Sequence, residues 1–120
     1  MAPISPITVV ETDEFLAVTR KLMDDEERVE LIDYLAYHPT AGAVVVGTGG
    51  VRKLRWALQG RGKRGGARVI YFFHNEEMPL YLMTAYAKSE RENLERSEIN
   101  VLRKMAQVLV ETNRWRRAIR

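Results

Sequence analysis

Between residues 43 and 88 the chain adopts a two-residue period and is cut by glycine and turn formers into short β-rich runs. Val44–Val46 leads into Gly47-Thr48-Gly49-Gly50 and then Val51–Ala57. A second glycine-rich stretch, Gln59–Gly66, precedes Arg68–Phe73, and His74–Pro79 separates that run from Leu80–Tyr86. β-Branched and aromatic runs of roughly four to eight residues, bounded by Gly, Asn and Pro, are strand signatures. The three runs from Val51 onward therefore predict a meander of consecutive antiparallel strands. Most of the chain's remaining length must pack around that sheet.

The flanks carry helical spacing. Ile7–Val10 predicts a first strand, and Thr12 or Asp13 can cap a helix carrying Phe15, Leu16, Val18 and Leu22. Asp24–Glu27 opens a second helix, with apolar positions Val29, Ile32 and Leu35 or Ala36, His38 as its cap and Pro39 as its stop. After Lys88, Ser89 or Ser97 can cap a last helix with an apolar stripe of Ile99, Leu102, Met105/Ala106 and Leu109. The basic end, Arg114–Arg120, is expected to fray. The predicted order is β-α-α-β-β-β-α: an α+β chain with a small antiparallel sheet, helices over one sheet face, and one domain across residues 1–120.

The net charge of +3 conceals an uneven distribution. Residues 1–40 hold three Lys/Arg and nine Asp/Glu, a net of −6, much of it at helix N-termini where capping accounts for it. Residues 41–75 hold seven basic residues (Arg52, Lys53, Arg55, Arg61, Lys63, Arg64 and Arg68) and no acid. Residues 76–120 hold nine basic and seven acidic residues, a net of +2. A cationic block of this kind points to an anionic partner met by the middle of the chain.

Several chemistries are set aside by composition. With no cysteine there is no disulfide, thiol nucleophile or Cys-ligated metal. His38 and His74 stand alone, outside any metal-ligand spacing, so neither a metal nor a cofactor is expected. Gly47–Gly50 lacks the spacing of a phosphate loop and runs into a strand, which makes it a turn requiring positive φ. No nucleophile-elbow motif supports a Ser-His-Asp triad. No apolar stretch approaches the roughly 20 residues that cross a bilayer, and the N-terminus reads without a signal peptide. The expectation is a cytoplasmic protein without a membrane partner.

What remains is a sheet face bearing cations. Strand alternation puts Lys53 and Arg55 on one face and Leu54 and Trp56 on the other, toward the core. Arg68 begins the next strand, with Arg61, Lys63 and Arg64 in the turn between, and Tyr86 and Lys88 close the strand after. Cations with interleaved aromatics suit RNA, pairing with phosphates and stacking on bases. Phe72 and Phe73 read as sheet core.

Together Gly47–Trp56, Gly65–Tyr71 and Leu82–Glu90 resemble the RelE/HigB toxins of bacterial type II toxin–antitoxin systems, most closely the HigB-like branch. The motif resemblance covers roughly residues 44–95, and the preceding helix pair agrees in order. It implies a RelE-like fold, with two N-terminal helices packed on the sheet. It also implies a toxin that enters the ribosomal A site and cleaves mRNA by 2′-hydroxyl attack, leaving a cyclic phosphate, with a cognate antitoxin often of helix-turn-helix type. The family's catalytic positions fall here on Lys53, Arg55, Arg68, Tyr86 and Lys88, and Arg91 is a looser match. Arg52, Arg61, Lys63 and Arg64 join Arg91 as expected RNA contacts. Arg68 is the candidate phosphate clamp, because a guanidinium matches two phosphate oxygens at once; Lys53 and Lys88 are candidates for proton exchange. The sequence departs from the RelE pattern in having no tyrosine after Tyr86 and a longer final helix, which leaves the general base open. Two alternatives share or neighbour this fold: a ParE-like gyrase poison and a non-catalytic RNA-binding module.

Overall fold

A computed structural model describes residues 5–58 and 65–118. Its elements run β1 (Val9–Glu11), α1 (Asp13–Thr19), α2 (Asp25–Tyr37), β2 (Ala43–Val44), β3 (Val51–Trp56), β4 (Ala67–Phe72), β5 (Leu80–Ala87) and α3 (Arg96–Ala118). The strands form one sheet in the order β1-β5-β4-β3-β2.

The α+β architecture matches the sequence expectation, with three differences of detail. Two residues preceding the Gly47–Gly50 turn pair with β3 and add a short edge strand, β2. The sheet is mixed, because β1 runs parallel to β5 while the other neighbours are antiparallel. No hairpin ties β1 to β5; just beyond β1 the Thr12 hydroxyl donates to the carbonyls of Leu82 (2.8 Å) and Met83 (3.2 Å), and its oxygen accepts the Phe15 amide, capping α1. The third difference is that the helices divide between the two faces. Phe15, Leu31 and Leu35 from the N-terminal pair pack on Leu54, Val69, Tyr71, Leu80 and Leu82. Leu102 and Ala106 of α3 pack on Val51, Ile70, Phe72 and Met83 on the opposite face.

Local chemistry explains the helix starts. Thr12 caps α1, and Asp24 forms a capping box with Glu27 at α2. Arg28 then ties α2 to β1 through Glu11 (2.6 Å). The buried side of α2 is Leu31, Leu35 and Ala36, whereas Val29 is 58% exposed, so the apolar stripe is rotated from the one read in sequence. His38 ends α2 as expected, its amide donating to the Tyr34 carbonyl. Neither Ser89 nor Ser97 opens α3: Ser97 lies inside it, and the Glu98 carboxylate accepts the Glu95 amide at its start. Helix α3 continues to Ala118 rather than fraying from Arg114.

Gly47, Gly49 and Gly50 all have positive φ, as the turn before β3 requires. Thr48 is buried in that turn, its hydroxyl donating to the Val45 carbonyl (2.6 Å) and accepting the Val51 amide (3.1 Å). On the α2 side Tyr71 is fully buried; its hydroxyl donates to the Pro39 carbonyl and accepts the Gly42 amide, both at 2.8 Å. Tyr71→Phe is expected to leave the buried Gly42 amide unpaired and to cost about 1–3 kcal/mol, read as a lowered midpoint in urea unfolding.

Candidate active site: a cationic face of the sheet

Register places the predicted residues. Arg55 pairs with Arg68 across β3 and β4, and Arg68 pairs with Tyr86 across β4 and β5. Directly opposed residues have Cβ atoms about 5 Å apart, so the three side chains form one row across three strands. Lys53 lies two residues from Arg55 and Lys88 two from Tyr86, on the same face by alternation. This is the face that α3 crosses, and Tyr86 packs in the core beneath it.

Arg68 is 8% exposed, and its Nη1 donates to the carbonyls of Gly65 (2.9 Å) and Ala67 (3.3 Å). Those bonds fix the guanidinium beside the turn. Gly65, at φ +76°, also leaves room for a neighbour, since a Cβ there would meet Lys88 Cγ at 2.7 Å. Arg55 is exposed directly opposite. Two arginines facing each other destabilise a sheet unless an anion joins them.

The segment from Lys88 to the start of α3 folds back over this face. Lys88 Nζ pairs with Glu92 Oε1 at 2.5 Å. The Tyr86 hydroxyl donates to the Glu92 carbonyl (3.2 Å), and Lys53 Nζ donates to Asn93 Oδ1 (3.4 Å). Arg91 lies over the Tyr86 ring, 4.4 Å from its centroid, and grips Glu98 through two bonds of 2.9 and 2.8 Å. Burial raises the Tyr86 pKa above its ordinary 10.0 despite the opposing cations Arg91 and Arg68. The phenol is therefore neutral and a hydrogen-bond donor at neutral pH. The hydrogen bond and charge of Lys88, helped by Arg68, lower the Glu92 pKa from 4.5 and keep its carboxylate ionised.

The structure thus brings Lys53, Arg55, Arg68, Tyr86, Lys88 and Arg91 to one face. Arg52 points to the other: its Nη1 donates to the carbonyls of Gly42 (2.7 Å) and Thr40 (3.2 Å), which ties down the segment after α2. Arg61, Lys63 and Arg64 lie outside the described residues. Sequence reading missed Glu92, Asn93 and Glu98. The four-residue spacing of Lys88 and Glu92 was the available signal, diluted within a nearly neutral C-terminal block.

Two mostly apolar grooves, about 400 and 350 Å³, run between β5 and α3 along Met83, Val101 and Met105, and Lys53, Arg55 and Arg68 line neither. The cationic row lies outside both grooves. Among the described residues no three His, Cys, Asp or Glu side chains gather as a metal site, and no helix is long and apolar enough to cross a membrane.

Arg91 lowers the Glu98 pKa from 4.5, with further help from the Glu95 amide and against partial desolvation. A carboxylate with a depressed folded-state pKa contributes stability above its unfolded value and loses it as pH falls through the folded value. Acid unfolding is therefore expected to draw on this pair below pH 4.5. The urea midpoint of Glu98→Gln should depend less on pH in that range than that of the unaltered protein.

A family model described as the RelE toxin of the RelE/RelB toxin–antitoxin system matches residues 10–116, from β1 through most of α3. Toxins of this family pair with an antitoxin, and translation-inhibiting ribonuclease activity is typical of them. With the match spanning nearly the whole chain over a RelE-like α+β fold, the protein belongs to the RelE family of toxins.

Proposed function

We propose that this toxin is a ribosome-dependent mRNA endoribonuclease of the HigB-like branch, acting in the cytoplasm and neutralised by a cognate antitoxin of helix-turn-helix type. The observation that carries the reading is the row Arg55–Arg68–Tyr86, flanked by Lys53 and Lys88 on one face of the sheet. The substrate is mRNA presented in the ribosomal A site, and no cofactor is needed.

Attack of a 2′-hydroxyl on the adjacent phosphodiester concentrates negative charge on the phosphorane oxygens. Preplaced cations stabilise that charge more than the ground state, because they need not reorganise as it develops. Arg68 suits the clamp, since its anchored guanidinium offers a fixed fork to two phosphate oxygens. Arg55, exposed across from it, meets the same phosphate or its neighbour. Tyr86, neutral and donating to the Glu92 carbonyl, holds the returning segment against the row. Lys53 and Lys88 supply further positive charge at either side of the row, and Arg91 adds charge behind Tyr86. Loss of phosphate contacts weakens binding in a salt-dependent way across sequences.

Induced expression is expected to halt translation and to leave mRNA cut at codon-spaced positions. Arg68→Ala and Lys53→Ala should each lower the rate of cleavage on programmed ribosomes by about 100-fold or more, with the variants soluble and folded. DNA breaks with intact mRNA would instead identify a ParE-like gyrase poison. Salt-sensitive RNA binding with no cleavage would identify a non-catalytic RNA-binding module.

A further inference from the structure

We infer that Glu92 is the general base of the cleavage reaction and Lys88 the general acid paired with it. The inference rests on the endoribonuclease reading above and assigns the proton transfers that reading leaves open.

Cyclising cleavage needs a group that takes the 2′-hydroxyl proton and one that protonates the departing 5′-oxygen. Arginine cannot serve as the base, because its guanidinium stays protonated in proteins. Tyr86 is held protonated by burial, and its hydroxyl is already donating to the Glu92 carbonyl. His38 ends α2 on the other side of the sheet, and His74 stacks on Phe72 beyond the far end of β4. Glu98 is committed to the Arg91 fork and the Glu95 amide.

Glu92 differs from Glu98 in both position and exposure. Its backbone is pinned to the cationic row by Tyr86, and its carboxylate is drawn to Lys88 at the row's edge, yet its side chain remains 75% exposed to an incoming substrate. The charged and titratable groups around it are Tyr86 on β5, Arg68 on β4, and Lys88 and Arg91 on its own segment. Lys88 and Arg68 lower its pKa, so the carboxylate is ionised at neutral pH and accepts a proton without first losing one; departure of the Lys88 proton during the reaction removes the larger part of that depression and restores its basicity.

The proton balance then closes within the pair. Glu92 removes the 2′-hydroxyl proton as the 2′-oxygen forms its bond to phosphorus. The bond from phosphorus to the 5′-oxygen breaks, and the Lys88 ammonium passes a proton to that oxygen, giving a 2′,3′-cyclic phosphate and a 5′-hydroxyl. Glu92 is left protonated and Lys88 neutral, in contact, and one proton transfer between them restores the starting state.

Single-turnover cleavage on programmed ribosomes tests both roles, using Glu92→Gln, Lys88→Ala and Arg68→Ala with ribosome affinity measured separately. Glu92→Gln is expected to slow cleavage about 100-fold or more at unchanged ribosome affinity, within the range a general base supplies. An mRNA with sulfur in place of the bridging 5′-oxygen has a leaving group that needs no acid. It should rescue Lys88→Ala and leave Glu92→Gln slow. Glu92→Gln that cleaves as fast as the unaltered protein, or faster, overturns the assignment, as does a loss of ribosome affinity alone. Those results leave the nuclease reading standing if Arg68→Ala is inactive. An unaltered protein that cuts no mRNA on ribosomes overturns both.

Discussion

Tyr86 reaches the cationic face because β5 carries one more residue than β4 across a single step of their ladder. Ile70 pairs with Thr84, but its neighbour Tyr71 pairs with Leu82, leaving Met83 between them. Strict alternation from Leu80 and Leu82, which lie under α1 and α2, would put Tyr86 on that same side. The extra residue reverses the phase, so the small Ala85 and Ala87 face the N-terminal helices while Tyr86 faces α3. A bulge of this kind re-aims every residue beyond it. The row Arg55–Arg68–Tyr86 exists because of that one insertion.

The row is costly to the sheet that holds it. β4 is buried along its whole length, with Val69 and Tyr71 packed on one core and Ile70 and Phe72 on the other. Arg68 is the charged residue in that strand, set opposite a second arginine. Two well-packed cores, one per face, hold the strand in place while its end carries unfavourable charge. Buried charge held by a rigid frame is a common mark of a functional site, since it stabilises a charged partner more than it stabilises the fold.

The segment between β5 and α3 completes the electrostatics. It returns Glu92 and Asn93, and the first turn of α3 returns Glu98, to a face whose strands contribute cations. Arg91 shows how tightly the two are coupled: it covers the Tyr86 ring and holds Glu98 at the start of α3, so the site and the helix start share one side chain. Block-by-block charge counting separated these groups, because it follows chain position rather than space.

Much of this was legible in the chain itself. The two-residue period from Val51 onward, the glycine turns, and the capping signals at Thr12 and Asp24 follow from local sterics and local hydrogen bonds, so sequence determined the elements and the shared face of Lys53 and Arg55. The rotated stripe of α2, with Leu31 buried and Val29 exposed, depended on what the helix packs against. The same holds for the parallel placement of β1 and the passage of α3 to the opposite face. The bulge at Met83 and the return of Glu92 to Lys88 required pairing between segments that do not specify each other locally. The chain alone determined which cations alternate onto one face of β3; the tertiary register decided which side chains from the other strands stand beside them, because a one-residue slip in a strand changes the face of everything after it.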